Sequence, residues 1–249
     1  MKIVIIGGTG LIGSQVAGQL RQLGHTVIAG SPSTGINSLT GEGIAEAMSG
    51  TNIVIDLSNS PSFDDEPAIN FFQTSGRNLM AAELNARVEH HLALSIVGVD
   101  KMQDMGYMRA KKIQEDLIRQ SGIPYTIVRS TQFLEFLPAI ASGATQGNEV
   151  HVSDVAFQPI AAKDVASFVT QFALIKPGNF TTEIAGPERK PLSEFVAIYL
   201  KENVDTKNVI TNGNSEYYGT RIPHDALVPH GDVKLGHVNL KEWLSSNKK

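Results

Sequence analysis

The chain opens on the apolar run Ile3-Val4-Ile5-Ile6, followed at once by Gly7-Gly8-Thr9-Gly10-Leu11-Ile12-Gly13. A continuous β-branched run without polar alternation has the pattern of a strand covered on both faces. Glycines at this spacing, between such a strand and an amphipathic helix, permit a tight turn, let the backbone approach a pyrophosphate and let helix and strand pack closely. The helix N-terminus then faces the anion. The segment satisfies G-x-G-x-x-G from Gly8 and G-x-x-G-x-x-G from Gly7. It therefore predicts a dinucleotide-binding strand-turn-helix unit, with Gly7, Thr9, Gly10, Leu11, Ile12 and Gly13 at the cofactor. The run is too short for a signal-peptide core and no cleavage pattern follows it, so the first residues are expected to be fold already.

Similar runs recur at residues 26–29, 53–57, 92–97 and 125–129, with a shorter one at 36–39. Helical patterns fall at 11–23, 43–48, within 65–85 and from 107 to 120. Six strand candidates separated mainly by helices predict an α/β fold, a Rossmann-type doubly wound parallel sheet with helices on both faces. After Arg129 the pattern loosens. A strand is expected at 157–160, a helix at 163–174, a strand at 180–184, a helix at 191–202 and a last helical turn at 240–245. Residues 1–130 read as the NAD(P)-binding core and 131–249 as a small C-terminal substrate-capping region over the sheet's carboxyl edge. With no repeat, low-complexity tract or linker between them, the two are expected to form one structural domain.

Hydrophobic residues at 41% and charged residues at 18% fit a folded globular chain. The net charge of -4, with no basic cluster beyond Lys248-Lys249, predicts no nucleic-acid partner. No apolar stretch approaches the ~20 residues that cross a bilayer, so no membrane partner is expected. The absence of cysteine excludes a disulfide scaffold, a thiolate zinc site and a cysteine nucleophile. It agrees with a reducing compartment, and a cytoplasmic location is expected. No metal is expected: His90 and His91 are adjacent in a strand and point to opposite faces, while His224, His230 and His237 lack ligand spacing. Asp64-Asp65-Glu66 and Glu115-Asp116 read as helix starts and solvated faces. Gly-x-Ser-x-Gly is absent, against an α/β-hydrolase.

An acidic residue near the end of the second strand would grip the ribose 2'-hydroxyl of NAD and repel a 2'-phosphate. That position reads Ala29-Gly30-Ser31-Pro32-Ser33-Thr34, without a carboxylate, and Ser31, Ser33 and Thr34 offer hydroxyls to a phosphate. No Lys or Arg occurs from Gln22 to Gly76. NADP(H) is favoured over NAD(H) on the missing carboxylate. Beyond the next strand, Ser58, Asn59 and Ser60 are candidates for the adenine-ribose side, with helix capping as the alternative role.

Tyr107-Met108-Arg109-Ala110-Lys111 puts a phenol and an ammonium on one helical face, and Ser95 precedes the tyrosine by twelve residues. Here the chain resembles the short-chain dehydrogenase/reductase superfamily, in which a serine precedes a Tyr-x-x-x-Lys helix. With the glycine loop and Ser121-Gly122-Ile123-Pro124-Tyr125-Thr126-Ile127-Val128-Arg129, it is similar to the atypical, NmrA-like NAD(P)H-binding branch over residues 1–200. The chemistry suits a carbonyl receiving hydride: Tyr107 donates the proton once the Lys111 cation lowers its pKa, and Ser95 holds the developing oxyanion. The resemblance also implies that Lys111 bonds the nicotinamide ribose, and that Thr131, Gln132 and Phe133 lie on the carboxamide side. Phe133, Phe136 and Leu137 also fit an apolar helical stripe, and Phe136 reads as core.

The expected function is an NAD(P)H-dependent oxidoreductase acting on a small-molecule carbonyl or quinone, as a monomer or homodimer. The alternatives are a non-catalytic NAD(P)(H) redox-sensing regulator and an NAD-dependent epimerase or dehydratase.

Overall fold

A computed structural model describes residues 1–247; Lys248 and Lys249 lie outside the described residues. The first half alternates β1 (Lys2–Ile6), α1 (Leu11–Gln22), β2 (Thr26–Gly30), α2 (Ile44–Met48), β3 (Ile53–Asp56), α3 (Asp65–Ala86), β4 (His90–Ile96), α4 (Gly106–Gln120) and β5 (Tyr125–Ser130). Next come α5 (Leu137–Gly143), β6 (Thr145–Gln146), β7 (Glu149–Ser153), β8 (Ala156–Phe157), α6 (Ala162–Leu174) and β9 (Phe180–Ala185). The chain continues with β10 (Lys190–Pro191), α7 (Leu192–Glu202), β11 (Asn208–Asn212), β12 (Glu216–Tyr217), β13 (Thr220–Arg221), β14 (Val233–Leu235) and α8 (Leu240–Ser246).

Seven strands form one parallel sheet in the order β14-β9-β5-β4-β3-β1-β2. The fold is a doubly wound, Rossmann-like α/β sheet. Alternate side chains of each strand serve opposite layers. Ile3, Ile5, Ile55, Leu92 and Val128 pack with residues of α1 and α6 on one face. Val4, Ile6, Val54, Ala93 and Ile127 pack with Met48, Leu79 and Ile118 on the other. The chain leaves β1 for β2 on one side and β3 pairs with β1 on the other, so strand order reverses at β1/β3. A doubly wound sheet opens its ligand cleft outside the carboxyl ends of the strands at that point.

The strand expected at 36–39 is absent. Asn37 Oδ1 instead accepts the backbone N–H of Leu39 at 2.9 Å and of Thr40 at 3.4 Å, folding the segment into a turn. β2 is consequently the sheet's edge strand. After residue 130 the chain re-enters the core: α6 packs against α1, and β9 and β14 extend the sheet beyond β5. What lies above the sheet is built on a separate apolar cluster that includes Leu134, Leu137, Val150, Phe195 and Trp243. Met102 and Met108, from the β4–α4 loop and α4, belong to that same cluster and join the two parts. No helix among the described residues is long and apolar enough to cross a membrane.

Candidate active site

The glycine loop occupies the reversal point. Gly7 has φ +74°, and a Cβ there would lie 2.6 Å from the Leu57 carbonyl oxygen, where the β1 and β3 loops meet. A Cβ on Gly13 would lie 2.2 Å from the Gly7 carbonyl oxygen, so this residue brings α1 against the loop that precedes it. Gly10 is the N-cap of α1 and no side chain caps the helix, leaving its first N–H groups for an anion. Thr9, Gly10 and Leu11 are exposed there, while the Ile12 side chain is buried in the sheet core and leaves only its backbone for a ligand. These residues fit a dinucleotide's pyrophosphate: the close approaches need glycine and the helix end is uncapped.

At the end of β2, residues 32–34 form a single 3-10 turn. Ser31 Oγ lies 2.8 Å from Ser33 Oγ, and the Ser31 N–H donates to Thr34 Oγ1 at 2.9 Å. The Thr34 hydroxyl is in turn bonded back to the Ser31 and Ala29 carbonyls. The hydroxyls expected to meet a cofactor phosphate are thus engaged in holding their own turn.

Tyr107 lies in the first turn of α4, and its hydroxyl donates to Asn59 Oδ1 at 2.5 Å. The structure therefore joins the tyrosine to a residue expected on the adenine-ribose side. The Tyr107 ring packs against Phe63 at 5.1 Å and Phe72 at 6.0 Å between centroids. Ser58 donates through both N–H (3.0 Å) and Oγ (2.6 Å) to Asp56 Oδ1, and Ser60 Oγ accepts the Ser62 N–H at 3.2 Å. Both serines thus shape the loop that carries Asn59.

Lys111 lies one turn below Tyr107 and is buried. Its ammonium donates to the Leu94 carbonyl at 2.9 Å and to Gln114 Oε1, and sits 4.6 Å from the centre of the Phe72 ring. Gln114 passes the connection on, donating to Asp56 Oδ2 at 2.7 Å. Burial lowers the Lys111 pKa to about 8, against the opposing pull of Asp56 and Glu115. The expectation that Lys111 lowers the tyrosine's pKa is corrected: burial pushes the Tyr107 phenol above its ordinary value, and the lysine's hydrogen bonds go elsewhere.

Ser95 is likewise bonded within the protein: its hydroxyl donates to Glu115 Oε1 at 2.6 Å. Glu115 is itself buried, not part of a solvated face. Arg129 grips it with Nε at 2.9 Å and a terminal nitrogen at 2.7 Å, and Arg119 adds a contact at 2.8 Å. Burial alone would raise this carboxyl's pKa; the hydrogen bonds from Arg129, Ser95 and Arg119 hold it below the usual range. Arg129 also reaches Asp100 at 2.7 Å, fastening the β4–α4 loop. Sequence reasoning missed Asp56, Gln114, Glu115 and Phe63. For Gln114 and Glu115 the signal was helical spacing, since positions 107, 111, 114 and 115 share one stripe of α4.

Thr131 is buried at the end of β5, with Oγ1 unpartnered among the described residues. The Gln132 carbonyl accepts the Ile160 N–H at 2.9 Å, and Phe133 bridges to Ile160. Phe136, read as core, is 42% exposed and stacks on Phe133 at 5.3 Å instead. His91 and His90 diverge as expected, His91 onto Glu83 and His90 onto Thr126.

A family model described as NAD(P)H-binding matches residues 33–174, more than half of the chain. The chain belongs to the NAD(P)H-binding family. The match takes in Tyr107 and Lys111 and begins beyond the glycine loop, which supplies its own structural support. Among relatives of this NAD(P)H-binding chain, a (4-alkanoyl-5-oxo-2,5-dihydrofuran-3-yl)methyl phosphate reductase of Streptomyces griseus is 26% identical over 203 residues, 75% of this chain and 68% of the reductase. Photosystem II assembly factor Ycf39 of Cyanophora paradoxa is 26% identical over 151 residues, 55% of this chain and 47% of that protein. The chain thus aligns with about half the length of the assembly factor. The crystal structure of a dTDP-4-dehydrorhamnose reductase from Bacillus anthracis in complex with NADP is similar at TM-score 0.72. It is 14% identical, with 97% of this chain and 92% of that one covered, and it supports the fold.

Proposed function

We propose that this chain is an NAD(P)H-dependent oxidoreductase of the atypical short-chain dehydrogenase/reductase type, reducing a small carbonyl or quinone with Tyr107 as proton donor. The observation that carries the reading is the Tyr107 hydroxyl, already donating its hydrogen to an amide oxygen at 2.5 Å. A substrate carbonyl oxygen taking the place of Asn59 Oδ1 receives the same hydrogen bond. When bound, the reduced nicotinamide supplies a hydride to the carbonyl carbon. Negative charge developing on the carbonyl oxygen then draws the proton from Tyr107. Burial raises this phenol's pKa, so it holds its proton until the developing alkoxide, a stronger base than a phenolate, draws it.

The uncapped end of α1, with Gly7 and Gly13 beneath it, is the proposed seat of the pyrophosphate. NADP(H) is favoured over NAD(H) because the end of β2 carries no carboxylate to repel a 2'-phosphate. Lys111 is assigned to the nicotinamide ribose, exchanging its bond to Gln114 for one to the ligand. Thr131, Gln132 and Phe133 are assigned to the carboxamide side, and those parts of residues 131–249 that lie above the sheet, outside α6, β9 and β14, to substrate capping.

One other reading has an observation of its own. Ser95 and Lys111 are both bonded within the protein, as suits a redox-sensing regulator that binds NAD(P)(H) without turnover. NADPH oxidation over a panel of quinones and small carbonyls, by wild type and Tyr107→Phe, separates the two. The reductase reading expects wild-type turnover and a loss of roughly 10²–10⁴-fold in the variant. Cofactor binding with no turnover of any acceptor supports the sensor, and equal rates in both proteins remove Tyr107 from the chemistry.

A further inference from the structure

We infer that the carbonyl substrate is a neutral aromatic compound whose ring stacks on Phe63, and that phosphorylated acceptors are disfavoured. This rests on the reductase reading above and concerns the same site. Phe63 is 70% exposed, although its ring lies 5.1 Å from that of Tyr107, centroid to centroid. Asn59, four residues earlier in the same loop, accepts the phenol's hydrogen. A carbonyl that displaces Asn59 Oδ1 therefore carries its substituent past an uncovered aromatic face. Behind Tyr107 the Phe72 ring closes the other side, so Phe63 is the face left open. A planar ring placed there gains offset or edge contacts that an aliphatic group lacks.

The charge around this face points the same way. Asp64, Asp65 and Glu66 follow Phe63 directly, and the first two lie within roughly 7 Å of chain, inside the Debye length of about 8 Å at physiological salt. Arg109 pairs with Asp65 and also donates to the Gln103 carbonyl at 2.7 Å. Among the described residues neither Asp64 nor Glu66 has an ion-pair partner, so the rim is negative and repels a phosphate. In the reaction the carbonyl carbon gains a hydride from NADPH and the oxygen a proton from Tyr107, giving an alcohol, NADP+ and a Tyr107 phenolate that takes its proton back from water.

The test compares benzaldehyde, cyclohexanecarbaldehyde and 4-formylphenyl phosphate, with NADPH, on wild type, Phe63→Ala, Phe63→Trp and the pair Asp64→Asn with Glu66→Gln. Phe63→Ala is expected to lower the benzaldehyde-to-cyclohexanecarbaldehyde ratio of kcat/KM about tenfold through KM, and Phe63→Trp to restore it. Wild type is expected to disfavour the phosphate ester by about tenfold against benzaldehyde, and the neutralised pair to narrow that gap. Calorimetric binding of acetophenone in the presence of NADP+ gives a second readout, expected to weaken in Phe63→Ala. A ratio unchanged by Phe63→Ala, or a phosphate ester used as well as benzaldehyde, overturns the aromatic assignment while Tyr107-dependent turnover keeps the reductase reading. Phe63-dependent acetophenone binding without turnover does the reverse, and neither binding nor turnover overturns both.

Discussion

Lys111 shows how burial decides the behaviour of a single residue here. Its ammonium is enclosed by a carbonyl, an amide oxygen and an aromatic face, and its pKa falls to about 8 from an ordinary 10.5. Between those values the unfolded chain holds the proton more tightly than the folded one. The stability this group confers therefore rises with pH through that window and is lowest below it. Urea unfolding of wild type and Lys111→Met across the window checks the sign: the wild type should gain on the variant as pH rises, and a flat difference contradicts the buried-cation account. Neither this burial nor the raised pKa of Tyr107 was legible in the Tyr-x-x-x-Lys spacing. Spacing places two side chains on one helical face, but their hydrogen bonds go in part to Asn59 and Leu94, which the fold brings from a loop and a strand distant in sequence. The bond from Ser95 to Glu115 was hidden for the same reason, since the two lie twenty residues apart on a strand and a helix.

At the scale of elements, α3 is fastened to β4 by an ion pair with no exposure. His91 Nδ1 lies 2.9 and 3.0 Å from the two Glu83 oxygens, and both side chains are fully buried. Burial alone would lower the His91 pKa, but the Glu83 carboxylate outweighs it and raises the value. Removing one partner leaves the other buried and uncompensated. Glu83→Leu should cost about 3–5 kcal/mol, and Glu83→Leu with His91→Leu should recover most of that loss. Chemical denaturation of both variants tests this, and equal costs would contradict it. Most elements were legible because buried parallel strands and amphipathic helices carry long apolar periodicities. The exceptions were short or local. Asn37 folded residues 36–39 into a turn by accepting two backbone donors, and Phe136 found Phe133 rather than the core. Glu115 read as a solvated charge because its partners Ser95 and Arg129 lie on strands, distant in sequence.

Across the whole molecule, the parallel sheet brings the β1 and β3 loops together and so creates the cleft. This much was legible from strand order and the glycine loop. The return of α6, β9 and β14 to the sheet was not, because the runs after Arg129 resemble cap elements until their neighbours are known. Gly13 tests the cleft as a unit. A methyl there meets the Gly7 carbonyl oxygen at 2.2 Å, a backbone atom that moves only if α1 or the loop moves. Wild type should gain about 2.7 kcal/mol in unfolding free energy with NADPH at a hundred times its Kd. Gly13→Ala should lose most of that gain, and an undiminished gain would place the cofactor elsewhere.

The most direct measurement follows the label from NADPH deuterated at its transferable position during reduction of an accepted carbonyl, in wild type and Tyr107→Phe. The account predicts one deuterium on the product's alcohol carbon in wild type, formed at least about a hundredfold faster than in the variant. Product without the label, or labelled product formed equally fast by both proteins, would contradict it.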